Sequence, residues 1–316
     1  MSITPRFSVV IPTRGDAPHL RRALASALAD RADVEVLVAH GCGVKLPAAL
    51  FGSGRVAAVP SAATTPGALR NAALERARAP IVAFLDDDDL WLTGHLAAAA
   101  AALDADGGIV LTAADAWLYD DETADGSGEP PIDFTTLPRF LGPGPPVEPT
   151  SRELLVRNTI LTPTVVARRD ALHAEGGFDP ALAVMEDWNL WIRLARRGRL
   201  HVVREPRAIV RRRRESASRD LRAMALSALE VVRRALGSGI ALTERERKSL
   251  EGRLWHDLAY ACLVEGDGPG ARRAARKAIA LLPGRGKNYM YWLAGLAPSA
   301  LRRRVFGKER RPESRT

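Results

Sequence analysis

Along the first two thirds of the chain the apolar positions alternate between short β-branched runs and stretches with a helical repeat. Residues 7–12 form a run closed by proline, 13–18 supply turn chemistry, and 19–29 carry helical spacing, which predicts strand, loop and helix. Runs at 34–39 and 56–59 predict two more strands, the first closed by Gly41-Cys42-Gly43. Leu69, Ala72, Ala73 and Ala77 place a helix over 66–78, and 80–85 is another buried strand. A helix over 95–103, a strand over 108–113 continued at 117–119, a strand at 164–167, a short helix over 169–175, an amphipathic helix over 186–196 and strands at 201–203 and 209–211 follow. Residues 120–150, dense in Pro, Gly and acids, read as a long loop. Beyond residue 216 strand signals cease, and 221–236, 244–265, 269–282 and 287–306 carry helical patterning. The expected architecture is α/β, an open and mostly parallel sheet with flanking helices, followed by an all-helical C-terminal region. The expected boundaries are 1–215, 216–306 and a basic, disordered tail at 307–316.

A chain of 316 residues with 47% hydrophobic and 26% charged content fits a soluble globular protein with a sizeable core. Cys42 and Cys262 give no disulfide framework and suit a reducing compartment. The run at 7–12 is too short for the core of a leader, and no run nears the roughly 18 apolar residues of a membrane-spanning helix. A cytoplasmic location is therefore expected. The net charge of +9 is concentrated: from Arg285 onward nine Lys/Arg face two Glu, a balance of +7. With the arginines at 211–214 this basicity suits peripheral contact with an anionic membrane surface at its inner face. The interleaved aromatics of a nucleic-acid reader are missing, so nucleic acid is not an expected partner.

Two acidic constellations carry the candidate chemistry. Asp86, Asp87, Asp88 and Asp89 stand just beyond the strand at 80–85, the end of a parallel sheet where ligands collect. Four adjacent carboxylates repel one another, and a hard divalent cation such as Mg2+ or Mn2+, which takes oxygen ligands and bridges carboxylates to substrate phosphates, relieves that conflict. Glu186 and Asp187 open a helix that bears Trp188 and Trp191. Acids there suit the helix dipole, and one of them also suits a general base that takes a proton from an attacking hydroxyl. The two Trp residues fit either core packing or stacking on a sugar ring.

Val9-Val10-Ile11-Pro12-Thr13, Gly67-Ala68-Leu69-Arg70-Asn71, Phe84-Leu85-Asp86-Asp87-Asp88-Asp89, Gly176-Gly177-Phe178-Asp179 and Glu186-Asp187-Trp188-Asn189-Leu190-Trp191 together resemble, in order and spacing, the successive motifs of family 2 glycosyltransferases of GT-A fold. The resemblance covers about residues 5–215. It implies a nucleotide-sugar donor and an acceptor hydroxyl on a glycan, lipid-linked intermediate or natural product. It places Pro12, Thr13 and Arg14 at the nucleoside and Arg70 beside the donor nucleotide. Asp86 and Asp87 fall on the ribose and donor sugar, Asp88, with Asp86, on the metal, and Asp187 at the catalytic base. Glu186 and Trp188 fall on the acceptor side. Where the family usually carries an acidic Asp-Asp-Gly-Ser type segment that reads the base, this chain has Ala39-His40-Gly41-Cys42-Gly43, and His40 is the candidate replacement. A non-catalytic nucleotide-sugar sensor or scaffold is the alternative function.

In the helical region Trp255, Leu258, Ala259, Ala271, Ala275, Ala278 and Pro283 resemble positions of one tetratricopeptide repeat hairpin, over about 252–285. A lone repeat cannot bury its own face, so it is expected to pack on neighbouring structure, and a protein partner for it is possible.

Overall fold

The computed structural model describes residues 4–15, 17–120, 133–212 and 220–306, which fall into two compact units, Met1–Ser216 and Ala217–Thr316. The expected tail at 307–316, Arg213 and Arg214 of the arginine run, and 121–132 of the expected long loop lie outside the described residues.

In the first unit the elements run β1 (Phe7–Thr13), α1 (Ala17–Asp30), β2 (Val34–Gly41), β3 (Val56–Ser61), α2 (Pro66–Leu74), β4 (Ile81–Phe84), β5 (Leu90–Trp91), α3 (His95–Ala105), β6 (Ile109–Asp120), α4 (Ser151–Val156), β7 (Val166–Arg168), α5 (Arg169–Ala174), α6 (Glu186–Arg197) and β8 (Arg199–Arg212). The strands form one curled sheet ordered β3-β2-β1-β4-β7-β6-β8-β5. Pairs among β3, β2, β1 and β4, and the β6–β8 pair, are parallel, while β7 and β5 join antiparallel. Phe7, Val9 and Ile11 alternate onto one face of β1 and pack with Leu20 and Leu24 of α1 and Leu96 and Leu103 of α3. The other face holds Phe84, whose ring centroid lies 5.3 Å from that of Phe178 and 6.1 Å from that of Trp191. Each such side chain, fully buried, contributes about 1.5–3 kcal/mol.

Several elements differ from expectation. The helix expected over 66–78 stops at Leu74, its last turns tightening through Arg76 N to Ala73 O and Ala77 N to Leu74 O. The strands expected at 201–203 and 209–211 are one, β8, which passes Pro206 by a register shift opposite Asp115, as a strand proline requires. Asp115 is fully buried at that bulge. Its carboxylate accepts from Leu141 N (2.7 Å), Gly142 N (3.0 Å) and Arg139 Nε (2.9 Å), pinning part of the expected long loop to the sheet. The same stretch ends in α4, whose N-terminus is closed by a reciprocal box between Thr150 and Glu153.

The second unit consists of α7 (Leu221–Gly237), α8 (Glu244–Glu265), α9 (Gly268–Leu281), α10 (Gly286–Ala294) and α11 (Ser299–Phe306). Gly266, at φ 82°, ends α8, and Asp267 caps α9 through Gly270 N. Leu258, Ala259, Cys262, Ala271 and Ala275 share one core between these two helices, and Lys277 lies over the Trp255 ring at 3.9 Å. The single helix expected over 287–306 is two, interrupted at residues 295–298, where Pro298 cannot continue the backbone ladder. His256 Nδ1 meets Asn288 Oδ1 at 2.7 Å, both buried.

Candidate functional site

Because β1 to β4 are parallel, Thr13, Gly41, Ser61 and the residues after Phe84 emerge on one edge of the sheet. Leu85 N bonds Val10 O (3.1 Å), so Val10 faces β4; Pro12, two residues on, faces the same way beyond the last β4 pair, where no N–H is wanted. Thr13 pairs with His40 across β1 and β2. The Thr13 hydroxyl donates to Asp87 Oδ2 (2.5 Å) and accepts from Gly15 N (2.9 Å), joining the loop after β1 to the aspartate run. Arg14 is exposed beside it, and the half-buried His40 turns Nδ1 toward Gly41 O at 3.1 Å. These residues share the sheet edge that the sequence expectation gave to the donor.

Arg70 is the centre of the arrangement. It is 5% exposed; Nη2 donates to Asp86 Oδ1 (2.6 Å), Nη1 donates to Glu186 Oε1 (2.9 Å), and the guanidinium lies 5.4 Å from the Phe178 ring centroid. Desolvation opposes its charge, but Asp86, Glu186 and Asp187 outweigh that and hold it protonated. Two glycines allow the approach. A Cβ on Gly67 would lie 2.7 Å from Glu186 Cγ, and one on Gly177, at φ 69°, would lie 2.5 Å from Asn71 Oδ1. Asn71 in turn exchanges two hydrogen bonds with the Phe178 backbone, at 2.7 and 2.8 Å. The motifs at 67–71, 84–89, 176–179 and 186–191 are thus one interlocked structure.

The four aspartates are not equivalent. Asp86 is neutralised by Arg70 and Asp87 is bonded by Thr13, whereas Asp88, partly exposed, accepts on its main-chain oxygen from Arg211 Nε at 3.3 Å. Asp89 is 2% exposed and accepts from Arg211 N at 2.7 Å; burial, then the neighbouring Asp88 and Asp86, push its carboxyl well above the usual carboxylate range. Like-charge strain is therefore relieved partly within the protein, by burying one acid and pairing another. Arg211, counted in sequence with a surface basic run, is instead buried, its guanidinium 5.0 Å from the Tyr119 ring centroid.

Met185, at φ 62°, is the only non-glycine of positive φ among the described residues, and it starts α6. That strained corner turns Glu186 and Asp187 toward the sheet edge. Asp187 Oδ2 accepts from the Thr162 hydroxyl (2.8 Å) and Oδ1 from Trp188 N (2.7 Å), so both carboxylate oxygens are oriented. Glu186 and Trp188, expected on the acceptor side, are 6% and 5% exposed: Glu186 faces Arg70, and the Trp188 indole donates to Leu154 O at 2.7 Å. Neither offers an open face to an acceptor. Arg70, expected beside the nucleotide, is likewise enclosed, and reaches the aspartate run through Asp86. Sequence reading missed Thr162, Met185 and Asn71, and did not set Asp89 apart from its three neighbours; only Asn71 and Asp89 sat inside recognised motifs.

Burial, and next Asp187, push the Glu186 carboxyl up to about 7 against the opposing pull of Arg70. An acid raised from 4.5 binds its proton more tightly folded than unfolded, so its contribution to stability is complete below about pH 4.5 and is lost as pH rises through about 7. Glu186→Gln, which mimics the protonated form, is expected to show a shallower fall in Tm from pH 4.5 to 7 than the wild type. Asp89 titrates in both proteins and cancels from the comparison. Parallel Tm-against-pH curves would show that Glu186 does not bind that proton.

Residues 5–228 match the sequence profile described as glycosyltransferase-like family 2. The fold is similar to crystal structures of S. aureus TarS: residues 1–349 with UDP-GlcNAc align at 17% identity and TM-score 0.56, covering 91% of this chain and 89% of that one. A longer TarS structure aligns at 17% identity and TM-score 0.61 over 91% of this chain, which spans 54% of TarS there. The mannosyltransferase PcManGT from Pyrobaculum calidifontis, in complex with GDP-Man and Mn2+, aligns at 18% identity and TM-score 0.51, covering 96% and 88%. No curated protein matches the chain. The profile spans most of the chain, and the protein belongs to glycosyltransferase family 2.

Proposed function

We propose that the enzyme transfers a sugar, with inversion, from a nucleoside diphosphate donor to an acceptor hydroxyl. The observation that carries this is the single charge cluster in which Arg70 binds Asp86, from the donor-side run, and Glu186, next to the oriented Asp187. Asp187 takes the hydroxyl proton as the acceptor oxygen bonds to the anomeric carbon. The bond from that carbon to the diphosphate oxygen breaks on the opposite side, and its electron pair leaves with the nucleoside diphosphate. Thr13, Arg14 and His40, at the ends of β1 and β2, bind the nucleoside. TarS and PcManGT were crystallised with UDP-GlcNAc and GDP-Man, which supports a nucleotide sugar as the donor class.

A divalent cation fits the residues present. Carboxylate oxygens are hard donors, and Mg2+ or Mn2+ is commonly held by one or two of them plus substrate phosphates. Among the described residues no group of three such ligands is preassembled. Asp88 and Asp86 would hold the ion, which would stabilise charge on the departing diphosphate.

A thermal-shift screen of nucleoside diphosphates and nucleotide sugars, with and without Mn2+, tests this reading. At a hundredfold excess over Kd the bound nucleotide adds about 2.7 kcal/mol, roughly 5–10 °C in Tm for a domain of this size. One base is expected to stand out, its shift larger with Mn2+, and Asp88→Asn should lose the Mn2+ increment. A flat response to every nucleotide would remove the donor assignment, and an undiminished Mn2+ increment in Asp88→Asn would remove the ligand.

A further inference from the structure

The last two helices of the second unit turn apolar side chains outward. On α10, Asn288 and Tyr291 face the helical core, while Tyr289, Met290 and Leu293 are 45%, 49% and 59% exposed; Leu296 follows at 58%. On α11, Arg302 folds inward to Gly266 O at 2.7 Å, and Leu301 and Val305, one turn apart, are 50% and 52% exposed. Of eight large hydrophobic residues this exposed among the described residues, six lie between 289 and 305. Isolated exposed apolar residues are ordinary, but an outward stripe at helical spacing is the mark of a binding face.

The charge of the same stretch indicates what covers it. Residues 286–306 contain no acid, and the sequence from Arg285 onward carries a balance of +7. A second copy would bring together two C-terminal segments that each carry +7 in sequence, which like-charge repulsion disfavours. Helices with an apolar outer stripe and basic flanks match the headgroup region of an anionic bilayer, where apolar side chains enter the acyl boundary and cations meet phosphate. No helix among the described residues is long and apolar enough to cross a membrane. We infer that α10 and α11 dock the enzyme peripherally on an anionic lipid surface through Tyr289, Met290, Leu293, Leu296, Leu301 and Val305.

Co-sedimentation of the full chain with vesicles tests this independently of transfer activity. Wild type binds phosphatidylcholine vesicles containing phosphatidylglycerol, binds phosphatidylcholine alone weakly, and is released by salt. Leu293→Glu with Leu296→Glu, at exposed positions and with an unchanged melting curve, lowers the apparent partition coefficient by roughly tenfold or more. Absent binding to the anionic vesicles, or equal binding by the double variant, overturns the inference. So does light scattering that finds a wild-type dimer which the variant splits, because the face then belongs to a second copy.

Discussion

Asp187→Asn is expected to lower transfer by about 10²- to 10⁴-fold, the usual contribution of a positioned general base, while the donor-induced rise in Tm stays at its wild-type value. The substitution suits the test because the site can keep its shape. The Asn oxygen can accept from Trp188 N as the carboxylate does, and its amide can donate to the Thr162 oxygen, which now donates to Asp187 Oδ2 at 2.8 Å. What disappears is the ability to take a proton. Thr162→Val removes the orienting hydroxyl and leaves the carboxylate, so a smaller loss, about tenfold, is expected in kcat with donor binding unchanged. Near-normal turnover in Asp187→Asn would take that residue out of the chemistry, whatever the fate of the nucleotide site.

The parts of this site that sequence made legible are those tied to local pattern. Asp86 to Asp89 follow a buried run, and Glu186 and Asp187 open an amphipathic helix, so each acid could be placed at a strand end or a helix start. Partnership could not be placed in that way. Arg70 and Glu186 are 116 residues apart, and nothing in the spacing of either says that α2 approaches the start of α6 or that Gly67 is small to admit Glu186. Asp89 looked like its three neighbours, yet the pairing of β5 with β8 draws it inward to Arg211. The strands expected at 201–203 and 209–211 run on as one because the bulge that passes Pro206 depends on the opposing strand, here at Asp115. The missed helix α4 is a different case. The Thr150-Ser151-Arg152-Glu153 box was visible, but the Pro- and Gly-rich stretch before it dominated the reading.

Above pH 7, where Glu186 is ionised, Arg70→Met is expected to destabilise the first unit by about 3–5 kcal/mol, the cost of stranding one member of a buried ion pair, or roughly 6–20 °C in Tm. The two carboxylates it leaves are not equally harmed. Asp86 keeps a side chain 31% exposed and can hydrate, whereas that of Glu186 is 7% exposed and sits beside Asp187. Most of the penalty therefore belongs to Glu186, and adding Glu186→Gln to Arg70→Met should recover a measurable part of the lost Tm, a coupling that a double-mutant cycle isolates. Arg70→Lys should fall between, because one ammonium cannot reproduce two nitrogens directed at separate carboxylates 2.6 and 2.9 Å away. A wild-type Tm in Arg70→Met, or a double variant no better than the single, would mean that Arg70 does not carry the balance of charge here. Since Arg70 joins the aspartate run to the start of α6, Arg70→Lys should also shrink the nucleotide-induced Tm shift, as Asp86 loses the group that aims it.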